Sequence, residues 1–580
     1  MDGIFLYART WMAVGALTFC AAASAAESTG AYCETPAQCT NPMATNGMVT
    51  SSNYLATQAG LDVLRRGGNA VDAAIAVAST IAVVYPQMNT IGGDNFWLIY
   101  NARTKELRAL NASGRAGENA TIKFYRDKGL GTIPSRGYLS VNTVPGAVSG
   151  WSEAYRYAHE TMRRSLPWKD LLRDAITYAR DGFVVTPSVA KWEAVNVDVS
   201  DKVYRNLQQF EGFRRTFLRP DGSPYRVGDI LKQPDLARSL TLIADNGADA
   251  FYKGEIAEKI VTELQANGGM LTRRDFAKHH ADWVQPISVT YRGFQVYNFP
   301  PNTQGFASLE ILNILNQYDV KSLGEGSADY YHLLVEATKQ AFADRDKYLS
   351  DPDFVRIPLA DLLSVRHAKA QAARIDMRKA DNDVRPMDPK GDTVWFGVVD
   401  NDGNAASLIQ SIYYDFGSGI VPAGTGVLLQ NRGSFFSLDP NHVNHLAPNK
   451  RTFHTLNPAM LLKDGKPFLV YGTMGGEGQP QTQAAIVTRM VDFGMSPQDA
   501  INAPRWLYGR TWGVSSNDLK IESRVPATVA DELKRRGHPV KVVEKFTDTM
   551  GHAGVIQVDA STGVLRGAAD PRGDGLAAGY

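Results

Sequence analysis

The most restrictive feature of this chain is a boundary. Residues 378–392, RKADNDVRPMDPKGD, carry dense charge, two prolines and almost nothing apolar. Such a stretch buries too little to hold itself in a core and reads as an exposed linker. TVWFGVVDNDGNAASLIQS follows at once: two apolar runs joined by a DNDGN turn, which predicts a strand hairpin starting at Thr393. Any fold for this chain must place the first residue of a buried strand directly after a polar segment open to cleavage.

The two sides of the boundary differ in texture. Before it, apolar residues recur at helical spacing over 52–66, and NAVDAAIAVASTIAVVYP predicts a second helix apolar on every face. FWLIYNARTKELRAL predicts a hairpin, and 147–350 reads as mostly helical, with a strand pair near 287–298. After it come predicted strands at VLLQN, AMLLKDGKPFLVYG, LKIES, VKVVEKF and GVIQVD, with one helix in QTQAAIVTRMVDFG. Helix-rich first and strand-rich second, the pattern predicts an α+β or layered architecture sharing one sheet system.

Residues 1–26 read as an export signal: Arg9 before an apolar stretch, then Ala23, Ser24, Ala25 and Ala26 as small cleavage residues. Its removal leaves Cys33 and Cys39, an even pair expected to close a small disulfide loop in a periplasmic or secreted protein. No later segment is apolar for long enough to predict a membrane span. Lys plus Arg number 61 and Asp plus Glu 60, a formal charge of +1, which excludes the basic excess of a dedicated nucleic-acid binder.

Few chemistries have their residues in place. His442 and His445 lack partners at metal-ligand spacing, so no metal site is expected. Neither a GxSxG elbow nor a GxxxxGK loop occurs. The glycine-rich loop at 472–478, between a strand and a helix, is either an anion-binding nest of backbone N–H groups or a tight turn that needs glycine. Thr393 is either an ordinary strand residue or, if the chain is cut after Asp392, a nucleophile whose own α-amine serves as its base. That chemistry requires no cofactor.

The blocks LATQAGLDVLRRGGNAVDAAIAVA, IGGDNFWLIY, VNTVPGAVSGW, ADRDKYLSDPDF, FGSGIVPAGTGVLLQN, NPAMLLKDGKP, GTMGGEGQ and ADPRGDGLAAGY together resemble the γ-glutamyltransferase family of N-terminal-nucleophile hydrolases. The resemblance implies a four-layer αββα sandwich and self-cleavage between Asp392 and Thr393. The products would be a large chain, 27–392, and a small chain, 393–580, of one interwoven domain. It further implies Thr393 as nucleophile, Ser411 as the hydroxyl that hydrogen-bonds it, and Gly475 and Gly476 as the oxyanion hole.

The positions that hold a γ-glutamyl head differ from the family's. Ser113 replaces an expected arginine, with Arg115 two residues on; Phe435 replaces an aspartate, with Arg432 nearby; His454–Thr455 replaces a serine pair, and Tyr413 an asparagine. The ASGRA, NRGSFF and MGGEGQPQ segments resemble the branch of acylase-like and oxamate-amidohydrolase-like members. The expectation is therefore an exported, self-processing amidohydrolase acting on a small-molecule amide, with hydrolysis favoured over transfer. A true γ-glutamyltransferase or glutathione hydrolase, and an inactive homologue serving as a binding protein, are the alternatives.

Overall fold

The computed structural model describes residues 32–201, 205–383, 392–509 and 516–580. The expected export signal, residues 1–26, and residues 384–391 of the linker lie outside them.

Two seven-stranded antiparallel sheets face each other. The first runs in the order Leu576–Gly579, Met48–Ser51, Asp392–Val399, Ala405–Tyr413, Asp94–Asn101, Glu106–Ala112 and Asp282–Val284. The second runs Met43–Ala44, Leu565–Ala569, Ala553–Val558, Lys466–Thr473, Ala459–Lys463, Phe294–Asn298 and Ile287–Tyr291. Both sheets interleave strands from before and after the linker, so neither stretch completes a sheet alone.

Helices cover the outer faces, giving four layers, αββα. Tyr54–Arg65 and Ala70–Val84 pack on the first sheet; Gly305–Leu315, Gly478–Val491 and Pro497–Asn502 pack on the second, with Ala328–Tyr348 laid against the first two of these. Helix Ala70–Val84 is buried at every position, as its all-apolar pattern requires, and a capping box from Asn69 and Asp72 closes its N-terminus.

The sheets meet around Trp395, whose indole is 2% exposed and donates to Ser407 Oγ at 3.0 Å. Gly472 and Gly554, paired across two neighbouring strands of the second sheet, lie beneath it. A Cβ on Gly472 would stand 2.3 Å from the indole and one on Gly554 2.6 Å. Only glycines let the two sheets approach at this point.

Two sequence readings need correction. VLLQN forms no strand; it carries one isolated bridge, Gly92 to Leu429, and the backbone bonds of Leu429 and Gln430 go to Gly92, Ser418 and Ile420, themselves loop residues. The described start of the linker is exposed at Arg378, Lys379, Asn382 and Asp383 but docked between them, at Ala380 and Asp381. Ala380 N–H donates to Arg536 O at 2.8 Å, Lys339 Nζ to Asp381 O at 2.5 Å, and Asp381 N–H to Glu336 Oε2 at 3.1 Å. A polar segment without apolar side chains is here held by its backbone. Among the described residues no helix is long and apolar enough to cross a membrane.

Candidate active site

Thr393 is buried, the second residue of strand Asp392–Val399. That strand pairs with Met48–Ser51 only from Phe396 onward, leaving its first residues paired on one side. On that side Asp392 pairs with Tyr413 and Val394 with Gln410, so Thr393 faces a bulge formed by Ser411 and Ile412. Tyr413, next in the chain, has a φ of 84°, the left-handed region that side chains avoid. Thr393 Oγ1 has no hydrogen-bond partner among the described residues.

Ser411 Oγ accepts from Tyr413 N–H at 2.9 Å and from Arg432 Nη2 at 3.2 Å. Arg432 is 1% exposed, stacks 4.3 Å over the Tyr413 ring, and has an unpartnered Nε. Among the described side chains no carboxylate stands at ion-pair distance from it. Burial pushes its pKa down to about 10.

Asp94 pairs with Ser411 in the strand ladder. Its Oδ1 accepts from Gly114 N–H, Gly146 N–H and Gln430 Nε2, each at 3.0 Å, while Oδ2 lies 3.3 Å from His454 Nε2 without a hydrogen bond. Burial first, and then Arg432, push the His454 imidazole down to about 4, so it is neutral at physiological pH. Thr455 Oγ1 is buried and unpartnered beside it. Phe435 closes one side, edge-on to Tyr413 at 5.9 Å and tilted against Phe453 at 4.6 Å.

Gly475 and Gly476 turn strand Lys466–Thr473 into helix Gly478–Val491, with φ of 127° and 52°. Gln304 Nε2 donates to both Thr455 O and Gly476 O at 2.9 Å. Arg345 in turn holds Gln304 Oε1 at 3.1 Å and Glu477 Oε1 at 2.9 Å, with both ion-pair side chains 1% exposed. A buried ion pair and an amide clamp therefore fix the glycine turn.

The sequence-predicted residues divide into two groups. Tyr413, Arg432, Phe435 and His454 gather with Ser411 beside Thr393, and Thr455 is tied to the glycine turn. Ser113 and Arg115 are otherwise engaged: Ser113 Oγ donates to Asn111 Oδ1 at 2.7 Å, and Arg115 Nη2 pairs with Asp282 Oδ2 at 2.9 Å. Asp94, Gln304, Arg345 and Glu477 escaped the sequence reading as site residues. Three of them stand inside its quoted blocks, in IGGDNFWLIY, ADRDKYLSDPDF and GTMGGEGQ.

What remains is a cluster of buried polar atoms, Thr393 Oγ1, Arg432 Nε, both His454 nitrogens and Thr455 Oγ1, without internal partners. Buried polar groups are ordinarily satisfied, and a set left open together marks a place for a ligand's own polar groups.

Residues 56–580 match the family described as gamma-glutamyltranspeptidase. The chain is 48% identical over 535 residues to the glutathione hydrolase-like YwrD proenzyme of Bacillus subtilis, covering 92% of this chain and 98% of that one. It is 45% identical over 540 residues to the oxamate amidohydrolase proenzyme of Klebsiella pneumoniae, covering 93% and 99%. Among solved structures, a cephalosporin acylase from Bacillus halodurans superposes with a TM-score of 0.86 at 39% identity, covering 95% of this chain and 99% of that one.

Proposed function

Since the chain belongs to the gamma-glutamyltranspeptidase family, whose members are hydrolases and acyltransferases of the N-terminal-nucleophile type, we propose that it is a self-processing amidohydrolase for short acyl groups that carry a carboxylate. The observation that carries the substrate class is Arg432, a buried guanidinium with a free N–H beside the Thr393 strand and no carboxylate partner among the described side chains. A substrate carboxylate supplies the missing counter-charge. The relative named for oxamate, itself a carboxylate next to an amide, fits this reading.

The chemistry follows from the groups present. Cleavage after Asp392 frees the Thr393 α-amine, with an ordinary pKa of ~8. That amine takes the hydroxyl proton as Thr393 Oγ1 attacks the amide carbonyl. The Gly475 and Gly476 N–H groups receive the developing oxyanion. The C–N bond breaks as the amine returns the proton to the leaving nitrogen, and water then hydrolyses the threonyl ester by the same route in reverse. Asp392 and Thr393 are the two sides of the processing site, and the large and small chains stay together because their strands interleave. The disulfide between Cys33 and Cys39 accords with an extracytoplasmic setting.

One observation favours γ-glutamyl chemistry as a second reading: the unpartnered Asp94 Oδ2 offers an acceptor for an α-ammonium group. A panel of oxamate, glutaryl, γ-glutamyl and neutral acyl amides, with and without an acceptor dipeptide, separates the two. Dominant γ-glutamyl release accelerated by the acceptor would defeat the first reading. Thr393→Ala should run as one uncut band on a denaturing gel and be inactive. Two bands from that variant would remove Thr393 from both roles.

A further inference from the structure

A second group of buried polar atoms lies outside the reaction site, in the helical layer over the second sheet. Glu310 comes from helix Gly305–Leu315, Asp344 from Ala328–Tyr348, and His367 and Gln371 from Val365–Ala372. One ligand atom each from Glu310, Asp344 and His367 falls within 4.8 Å of the other two. His367 Nε2 is 2.7 Å from Asp344 Oδ2, and Gln371 Nε2 donates to the same oxygen at 2.7 Å. Glu310 is 1% exposed, and neither of its oxygens has a partner; Gln371 is 2% exposed, and its Oε1 has none.

A buried carboxylate normally has a hydrogen-bond donor or a cation against it. Here two carboxylates converge, and among the described residues no lysine or arginine stands at ion-pair distance from either. An imidazole completes the cluster, with the Gln371 amide N–H against Asp344.

We propose that Glu310, Asp344 and His367, bordered by Gln371, form a binding site for a divalent transition-metal cation, Zn2+ or Mn2+. Two carboxylates balance two positive charges, and an imidazole among oxygen ligands suits these ions over Mg2+ or Ca2+, which favour oxygen alone. The side chains of Asp344 and His367, 19% and 24% exposed, give the ion a way in from solvent. Its role is structural. It would staple three helices, two of which lead to the reaction site: Arg345 follows Asp344 and holds Glu477, while Gln304 immediately precedes the helix of Glu310.

The test uses the full-length purified protein, stripped with a chelator and dialysed against Zn2+ or Mn2+, with metal read by elemental analysis and stability by thermal melting. About one equivalent per chain and a midpoint raised by ~3 °C or more are expected, both lost in Glu310→Gln and in His367→Ala. Should Glu310→Gln fail to fold, His367→Ala, on the part-exposed wall, carries the comparison. Less than about 0.2 equivalent bound by the unaltered protein at micromolar metal, or binding undiminished in the variants, would overturn the site.

Discussion

Arg432→Met separates what Arg432 does for stability from what it does for substrate. The guanidinium is 1% exposed and its pKa is pushed down to about 10 by burial. Each tenfold weakening of proton binding is ~1.4 kcal/mol against the charged form, so the cation costs the folded state about 3 kcal/mol at neutral pH. Its stack on Tyr413 and its bond to Ser411 return about 1–3 kcal/mol together. Methionine has similar reach and no charge, so the variant should melt at the same temperature as the parent or a few degrees higher. Its activity should diverge by substrate. A lost charge-assisted contact worth about 1.5–3 kcal/mol lowers kcat/KM about 10- to 150-fold on a carboxylated amide, and by less than about 3-fold on a neutral acyl amide. Steady-state kinetics on the two substrates, after a gel confirms two-chain processing, is the assay. Equal losses on both would refute the carboxylate assignment. A large fall in melting temperature would show that Arg432 is a structural cation.

Other perturbations test the supports of the site. Glu477→Gln removes one of the two carboxylates on buried Arg345, leaving Asp346 at 2.7 Å, and should cost about 1–3 kcal/mol of stability. Its kcat should fall about 100-fold with KM within about 3-fold, because the glycine turn moves while the acyl pocket does not; a pure KM effect would contradict that role. Gly472→Ala puts a Cβ 2.3 Å from Trp395 and should destabilise by about 1–3 kcal/mol and slow self-cleavage. Adding Trp395→Phe should recover part of both on a gel time course, and no recovery would place the clash elsewhere. In acid, His454 charges at about 4 when folded and at ~6.5 when unfolded. Its stability contribution is therefore complete above pH ~6.5 and drains away as pH falls towards 4, up to about 3 kcal/mol. His279 and His538, each pushed down to about 3 by burial, add to the same loss. Melting curves from pH 7 to 4 should flatten in His454→Gln, and parallel curves would sink the assignment.

The hairpin at Thr393, the all-buried helix and the glycine turn could be read in advance because each is a local pattern: alternation, an unbroken apolar run, or glycine between strand and helix. VLLQN misled for the opposite reason, since an apolar run joins a ladder only where a regular strand lies alongside, and Gly92, Ser418 and Ile420, which bond Leu429 and Gln430, lie in loops. The docked start of the linker was invisible because it rests on Lys339, Glu336 and Arg536, remote in sequence. Arg115 was a reasonable candidate until Asp282, 167 positions away, was found to hold it.

By itself the sequence determined the family, the α+β class and a threonine at the start of a buried hairpin after a polar segment, because these depend on residue order and nearest-neighbour pattern. It also supplied Arg432 and His454, but not their condition. Only the tertiary structure decided that Arg432 has no carboxylate at ion-pair distance among the described residues, that Asp94 retains an open oxygen, that Arg345 and Glu477 brace the glycine turn, and that Glu310, Asp344 and His367 converge. The reason is physical. Burial and the charge around a group are set by chain segments that meet from hundreds of positions apart, and those two quantities turn a residue type into a reactive one.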